Sequence, residues 1–321
     1  MSRIHLMKKL LIAIIVFGLS LFYWANSIKV IEPIVYHIPS GVSVTAIANN
    51  LEKQGIIRSS FFVRVMAKFF GSYSKLKSGY YDVVPNMSTI DLLDDFASAT
   101  VATRNVTLVE GKTALDYYQQ LESNKALKSN GSFVRTMQIA GIQPPYEGGF
   151  WPNTYRFEVG DSVASIFRKS NQILRGILAI EWKKRDKNLR FSSPEQALIL
   201  ASLIEKETAH NAEKSHIAGV FVRRLQRGMR LQTDPTVVYA LGKSYRGYLT
   251  RKDLRVNSPY NTYRNHGLPP TPIASVGITS LRAALHPTSG DSLFFVAKKD
   301  GTHAFARTYE KHKNNIRKYL K

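Results

Sequence analysis

Cysteine is absent from the 321 residues, which excludes disulfides, thiol nucleophiles and thiolate-bound zinc together. Acidic residues are scarce, with 23 Asp and Glu against 45 Lys and Arg for a net charge of +22. The eight histidines show no HExxH or comparable metal spacing, and Walker A, Rossmann and GxSxG patterns are all missing. Metal, nucleotide and serine-hydrolase chemistry therefore lose support, and neither a cofactor nor a metal is expected. A basic field of this size favours a polyanionic partner or an anionic membrane surface. The basic residues are scattered and form no recognised nucleic-acid module, so nucleic acid is not expected as a partner.

One long apolar run is present. Leu10 to Ala25 reads LLIAIIVFGLSLFYWA, and the uncharged stretch continues to Ile28 before Lys29. Residues 10–28, at ~1.5 Å rise each, come close to the roughly 30 Å hydrocarbon core of a bilayer. Arg3, Lys8 and Lys9 precede the run, so the positive-inside rule leaves residues 1–9 in the cytoplasm and exports the rest. Tyr23 and Trp24 suit the far interface. The alternative is a cleaved signal peptide, against which stand the length of the run and the poor cleavage site YWANS.

Beyond the anchor, three stretches share an apolar strand-like start, a turn, and Ser or Thr at a helix-cap position. They are VYHIPSGVSVTAIANNL from Val35, YDVVPNMSTIDLLDDF from Tyr81 and VTLVEGKTALDYYQQL from Val106. Ser43, Ser88 and Thr113 are the expected N-caps. Residues 35–143 are read as these strand-turn-helix modules with their connecting region. Their arrangement resembles the LysM-like modules that dock on cell-wall glycans, and the alternative is a rigid spacer. Pro144, Pro145 and the aromatic segment YEGGFWPNTYRF then mark a structured loop, and a second domain is expected over 144–321. Mixed helices and short strands give an α+β class.

In that second domain, Glu195 to Thr208 reads EQALILASLIEKET. Ser193 and Pro194 form a helix start, and the run is apolar all the way round. Carboxylates on such a helix are costly unless something uses them. Glu205 and Glu207 lie ~200° apart at 3.6 residues per turn, which predicts that they do not share a cleft. Periodicity does not choose between them, and either one could instead be ion-paired to a nearby base such as Arg223 or Arg224. Two loops follow: LQTDPTV from Leu231, and SPYNTYRNHGLPPTPIASVG from Ser258. Tyr260, Asn261 and Tyr263 in the second suit a carbohydrate site, where rings stack on sugar faces and amides read hydroxyls. A Pro-rich packing loop is the alternative.

Taken in order, EGGFWPNTYRF at Glu147, ASLIEKET at Ala201, FVRRLQRGMRLQTDPTVVYALG at Phe221, YNTYRNHGLPPTPI at Tyr260 and AALHP at Ala283 closely resemble the endolytic murein transglycosylase family, the MltG or YceG-like proteins. Asn153 and Val276 depart from the family pattern, where Asp and Pro are expected. The resemblance implies one amino-terminal anchor in the bacterial cytoplasmic membrane, a small LysM-like module and an extracytoplasmic YceG-like catalytic domain.

It also implies a reaction: non-hydrolytic cleavage of the β-1,4 bond between N-acetylmuramic acid and N-acetylglucosamine in nascent strands, leaving 1,6-anhydro ends. The family's catalytic glutamate falls on Glu205, as general acid and then base. The apolar helix around it is expected to favour its uncharged form. Glu147 is assigned to orienting the substrate or supporting Glu205. Gln232, Thr233, Asp234, Tyr260, Asn261 and Tyr263 are candidates for holding the glycan, and Glu207 is structural. Expected partners are peptidoglycan strands, the membrane and peptidoglycan synthases. The competing reading is a non-catalytic, membrane-anchored adaptor that binds cell-wall glycan.

Overall fold

The computed structural model describes residues 3–320; Met1 and Ser2 of the expected cytoplasmic tail lie outside the described residues. The chain forms two compact units: one holds the residues up to Arg104 together with Arg156–Gly160, and the other holds Asn105–Tyr155 and the residues from Asp161 on. The change of unit falls inside two short strands, whereas the sequence reading put its domain boundary near 144.

The first unit begins with helix α1 (Arg3–Asn26). Among the described residues it is the one helix long and apolar enough to cross a membrane, over His5–Asn26. Strand β1 (Ile34–Ile38), helices α2 (Val44–Lys53) and α3 (Ser60–Phe69), strand β2 (Gly79–Val83) and helix α4 (Thr89–Ser98) follow. β1 and β2 pair antiparallel with Tyr36 opposite Tyr81. Alternation along each strand turns Tyr36, Ile38, Tyr81 and Val83 inward. There they join Ile47, Leu51, Leu92, Leu93 and Phe96 in one core.

The end of α1 is fastened to this core without a linker. The Lys29 N–H donates to Ile56 O at 2.8 Å, Arg58 Nε to Ser27 Oγ at 2.6 Å, and the Ile90 N–H to Asn26 Oδ1 at 3.0 Å.

Strands β3 (Thr103–Leu108) and β4 (Asn153–Glu158) form the second two-stranded pair, and the division between the units runs through both. The second unit carries α5 (Ala114–Glu122), α6 (Phe133–Ala140), α7 (Val163–Lys183), α8 (Pro194–Glu207), α9 (Asn211–Gln226), α10 (Asp234–Leu241), α11 (Ile278–Leu285), the hairpin β5 (Phe294–Ala297) and β6 (His303–Ala306), and α12 (Tyr309–Tyr319). α8 lies against α9 and α11, and every residue from Ala197 to Ile204 is buried. A helix that is apolar on all sides is thus the centre of its domain. The architecture is mixed α+β, with helices dominant.

The three repeated stretches share their turn chemistry. Gly41, Asn86 and Gly111 all take positive φ, each two residues before a helix N-cap. Ser43 accepts from the Ala46 N–H, while Ser88 with Asp91 and Thr113 with Asp116 form reciprocal capping boxes. Ser193 sits at the α8 N-cap position before Pro194, but its side chain makes no capping bond. The Thr113→Ala variant is expected to lose about 1 kcal/mol of stability, read from denaturant unfolding, and Ser193→Ala to lose much less.

Candidate active site

The chemistry-bearing residues gather where α8 ends. Glu205 stands in its last turn as the helix leaves the core, and its side chain remains 11% exposed. Its Oε1 accepts from Lys214 Nζ at 3.2 Å, and its Oε2 accepts from the Gly277 N–H at 3.0 Å. Lys214, in the first turn of α9, is 6% exposed and also donates to Thr279 Oγ1 at 3.1 Å. Gly277 is the N-cap of α11, so the carboxylate meets the positive end of that helix as well as a cation.

The sequence reading expected apolar surroundings for Glu205, and the structure gives it charge partners instead. Nor is the base Arg223 or Arg224. Arg223 donates to the carbonyls of Ser292 and Thr288, and Arg224 to those of Leu293 and Leu231.

A cleft of about 570 Å³ opens here, lined by Glu110, Glu205, Lys206, Glu207, Lys214 and Thr279 among others. Glu207 also borders it, but its carboxylate turns to Thr233, so the two glutamates differ in direction as the helical spacing predicts. Glu207 Oε2 accepts from Thr233 Oγ1 at 2.7 Å, and burial raises its pKa. It ties the LQTDPTV loop to α8.

Glu110 enters from the loop before α5. A Cβ on Gly277 would lie 2.9 Å from Glu110 Cγ and 3.1 Å from its Oε1. One glycine thus separates two carboxylates: its amide holds Glu205 and its bare α-carbon admits Glu110. The loop is held by Lys206 Nζ donating to Gly111 O and by backbone bonds between Gly111 and Ser275 and between Ser275 and Lys112.

Of the eight residues given catalytic or glycan-holding roles from sequence, Glu205 alone lines this cleft. Glu147 accepts from the Ala114 and Gly148 N–H groups and from Tyr239 OH at 3.4 Å. It closes the start of α5, and burial lifts its pKa to about 7. Asn261 is fully buried; its amide donates to Leu254 O and Val256 O and its oxygen accepts from the Tyr263 N–H. It organises its own loop and presents nothing to a glycan.

Thr233 is 2% exposed and committed to Glu207. Gln232, exposed with φ 51, forms the bend before it. Asp234 accepts from Tyr263 OH at 2.5 Å, an interaction that together with burial raises the Tyr263 pKa. Tyr260 stacks obliquely on Tyr239 at 4.8 Å and shares a 2.8 Å hydrogen bond with Thr271.

The YceG-like family matches this chain over residues 36–318. The chain belongs to that family. The endolytic murein transglycosylase of Bacillus subtilis (strain 168) is 33% identical over 310 residues, covering 88% of this chain and 84% of its own length. The Streptococcus pneumoniae (strain R6) protein of the same name is 28% identical over 323 residues, and the match covers 88% of this chain and 58% of that longer protein. A 2.6 Å crystal structure of a putative YceG-like protein from Listeria monocytogenes superposes with a TM-score of 0.56 at 31% identity, covering 88% of this chain and 99% of that one. In this YceG-like chain the matched region contains Glu110, Glu205, Lys214 and Gly277.

Sequence reasoning missed Lys214, Glu110, Lys206 and Thr279. Lys214 had a signal: it shares a helical face with Ile217, Ala218 and Phe221, all buried. A lysine on an apolar stripe needs a buried partner. Glu110 had none, since a loop glutamate after a strand carries no periodicity.

Lys214→Met, which strands the Glu205 charge, is expected to cost about 3 kcal/mol. Adding Glu205→Gln should recover roughly half of that; additive losses in urea unfolding would contradict the pairing. Glu147 supplies a pH test. Its pKa rises from 4.5 to about 7 on folding, so the folded state binds more protons in that window and stability falls as pH rises through it. Relative to Glu147→Gln, the wild type should lose stability, on the order of 3 kcal/mol, between pH 4.5 and 7. Parallel stability curves would contradict this.

Proposed function

We propose that this protein is a membrane-anchored lytic transglycosylase that cuts nascent peptidoglycan strands internally, with Glu205 as its single acid and base. The observation that carries the reading is a carboxylate in an open cleft, held by one donor on each oxygen. Its relatives' name, endolytic murein transglycosylase, supports the substrate class and the lyase reaction.

A carboxyl group has about four lone-pair sites, and the two donors leave acceptor capacity for a reacting proton. Glu205 protonates the glycosidic oxygen as its bond to the muramic anomeric carbon breaks. The 6-hydroxyl oxygen of the same sugar bonds to that carbon and returns its proton to Glu205. The products are a 4-hydroxyl on the departing glucosamine and a 1,6-anhydromuramic end, with no net proton uptake. Negative charge grows on Glu205 as the first proton leaves, and the Lys214 ammonium and the α11 N-terminus are already aimed at it. That interaction is stronger in the transition state than in the protonated ground state, which is the condition for acceleration. No water attacks, so the paired carboxylates of a hydrolase at fixed spacing are not needed. Glu110 is assigned to glycan hydroxyls, and Lys206 to the cleft rim.

In the first unit, the order β1, α2, α3, β2 with an antiparallel strand pair supports reading it as a LysM-like glycan module. A cleft of about 580 Å³ there is lined by Tyr36, His37, Asn50 and Gln54 among others, the ring-and-amide mixture that sugars favour. α1 serves as a single-pass anchor in the cytoplasmic membrane, with Lys8 and Lys9 on the cytoplasmic side. The catalytic unit is then exported to the side of the membrane where synthases extend new strands, and cutting there ends their elongation.

Full-length protein in detergent, incubated with uncrosslinked glycan, should release anhydromuramic ends. Glu205→Gln keeps one acceptor oxygen for its two donors and leaves the Lys214 charge unpaired, so it should fold with reduced stability and, compared under conditions where both proteins are folded, lose at least about 100-fold in rate. New reducing ends would indicate a hydrolase, and an active Glu205→Gln variant would remove Glu205 from the chemistry.

A further inference from the structure

We infer that α3 is a second membrane contact, an amphipathic helix whose outer face lies in the anionic surface of the bilayer that α1 crosses. This rests on the reading of α1 as the anchor. Position is the first observation. Phe62 of α3 meets Phe22 of α1 edge to face, with ring centroids 5.4 Å apart. Phe22 lies four residues before the end of α1, which at ~1.5 Å per residue is ~6 Å inside that end. α3 therefore touches the spanning helix about one turn before its end, near the depth where Tyr23 and Trp24 stand exposed.

The second observation is the face that α3 leaves uncovered. Phe62 and Val63 are buried, whereas Phe61, Phe69 and the adjoining Phe70 are 68%, 77% and 54% exposed. Phe61, Val65, Lys68 and Phe69 fall within one side of the helix, with Arg64 at its margin. Three exposed phenylalanines at one end of a small module are costly in water and favourable at the headgroup boundary.

Charge identifies the occupant. From Lys53 to Tyr81 the chain carries Lys53, Arg58, Arg64, Lys68, Lys75 and Lys77 and no Asp or Glu. Glu52 of α2 offsets Arg64, and the remaining cations with the aromatic side chains suit an anionic lipid surface. The fastening of α1 to Ile56, Arg58 and Ile90 keeps α3 at that surface. The helix would fix the tilt of the module on the membrane, which a single spanning helix leaves free to rotate.

The absence of cysteine allows a direct test. Single variants Leu19→Cys, Tyr23→Cys and Phe69→Cys of the full-length protein each carry one environment-sensitive fluorophore in nanodiscs of phosphatidylglycerol and phosphatidylcholine. Quenching by doxyl-labelled lipid is compared with quenching by iodide. Lipid quenching at position 69 is expected within about twofold of that at position 23, and to fall about twofold or more in phosphatidylcholine alone. Strong lipid quenching at 19 with iodide quenching alone at 69 overturns the proposal and leaves the anchor intact. Lipid quenching absent at 19 overturns both. Self-quenching between labels at 69 without lipid quenching would show that a second copy covers the face, and equal quenching in neutral lipid would overturn the anionic surface.

Discussion

The arrangement depends on how one carboxylate leaves a hydrophobic core. Helix α8 is buried on every side through Ile204, and Glu205 is the next residue. A charge in that position must be satisfied at once, and it is, by Lys214 from α9 and by the amide of Gly277 at the start of α11. The helices that deliver these donors, α9 and α11, are among those that pack against α8. The core thereby fixes the carboxylate: α8 cannot shift along its axis without breaking both bonds. Burial raises the cost of leaving the pair incomplete, and so gives the geometry a single solution.

The neighbouring carboxylate works differently. Glu207 hydrogen-bonds Thr233, and Thr233 in turn bonds Thr262 through its backbone N–H. This chain of contacts links the end of α8 to both long loops that the sequence marks as unusual. The Pro-rich loop is tied to α8 a second time where Ile273 N–H donates to the buried Ser202 hydroxyl. Residues that look like sugar binders by type, Thr233 and Asn261 among them, are spent on building these loops. Polar residues in irregular segments must satisfy the backbone groups that no helix or strand accepts.

Much of this was legible in the sequence, for reasons that differ by element. The apolar run before Lys29, the three helix caps and the all-round apolarity of α8 are local signals, and local physics decides them. Choosing Glu205 over Glu207 required family resemblance, since period 3.6 treats the two alike. The same spacing does set the two apart in direction, Glu205 toward Lys214 and Gly277 and Glu207 toward Thr233. Lys214 and Glu110 arrive from nine residues downstream and from about a hundred residues upstream, and such meetings are set by tertiary packing. The Gly277 amide is a backbone group and leaves no mark in a side-chain pattern beyond the glycine itself.

The central claim is that the cleft beside Glu205 receives the scissile bond. A crystal structure of the Glu205→Gln variant with an uncleaved glycan oligomer tests it most directly. The account predicts a muramic–glucosamine linkage whose bridging oxygen lies ~3 Å from the side chain at position 205, with sugars seated between Glu110 and Thr279. A glycan bound elsewhere, with the 205 side chain still facing Lys214 and Gly277 and no sugar near it, would contradict the account.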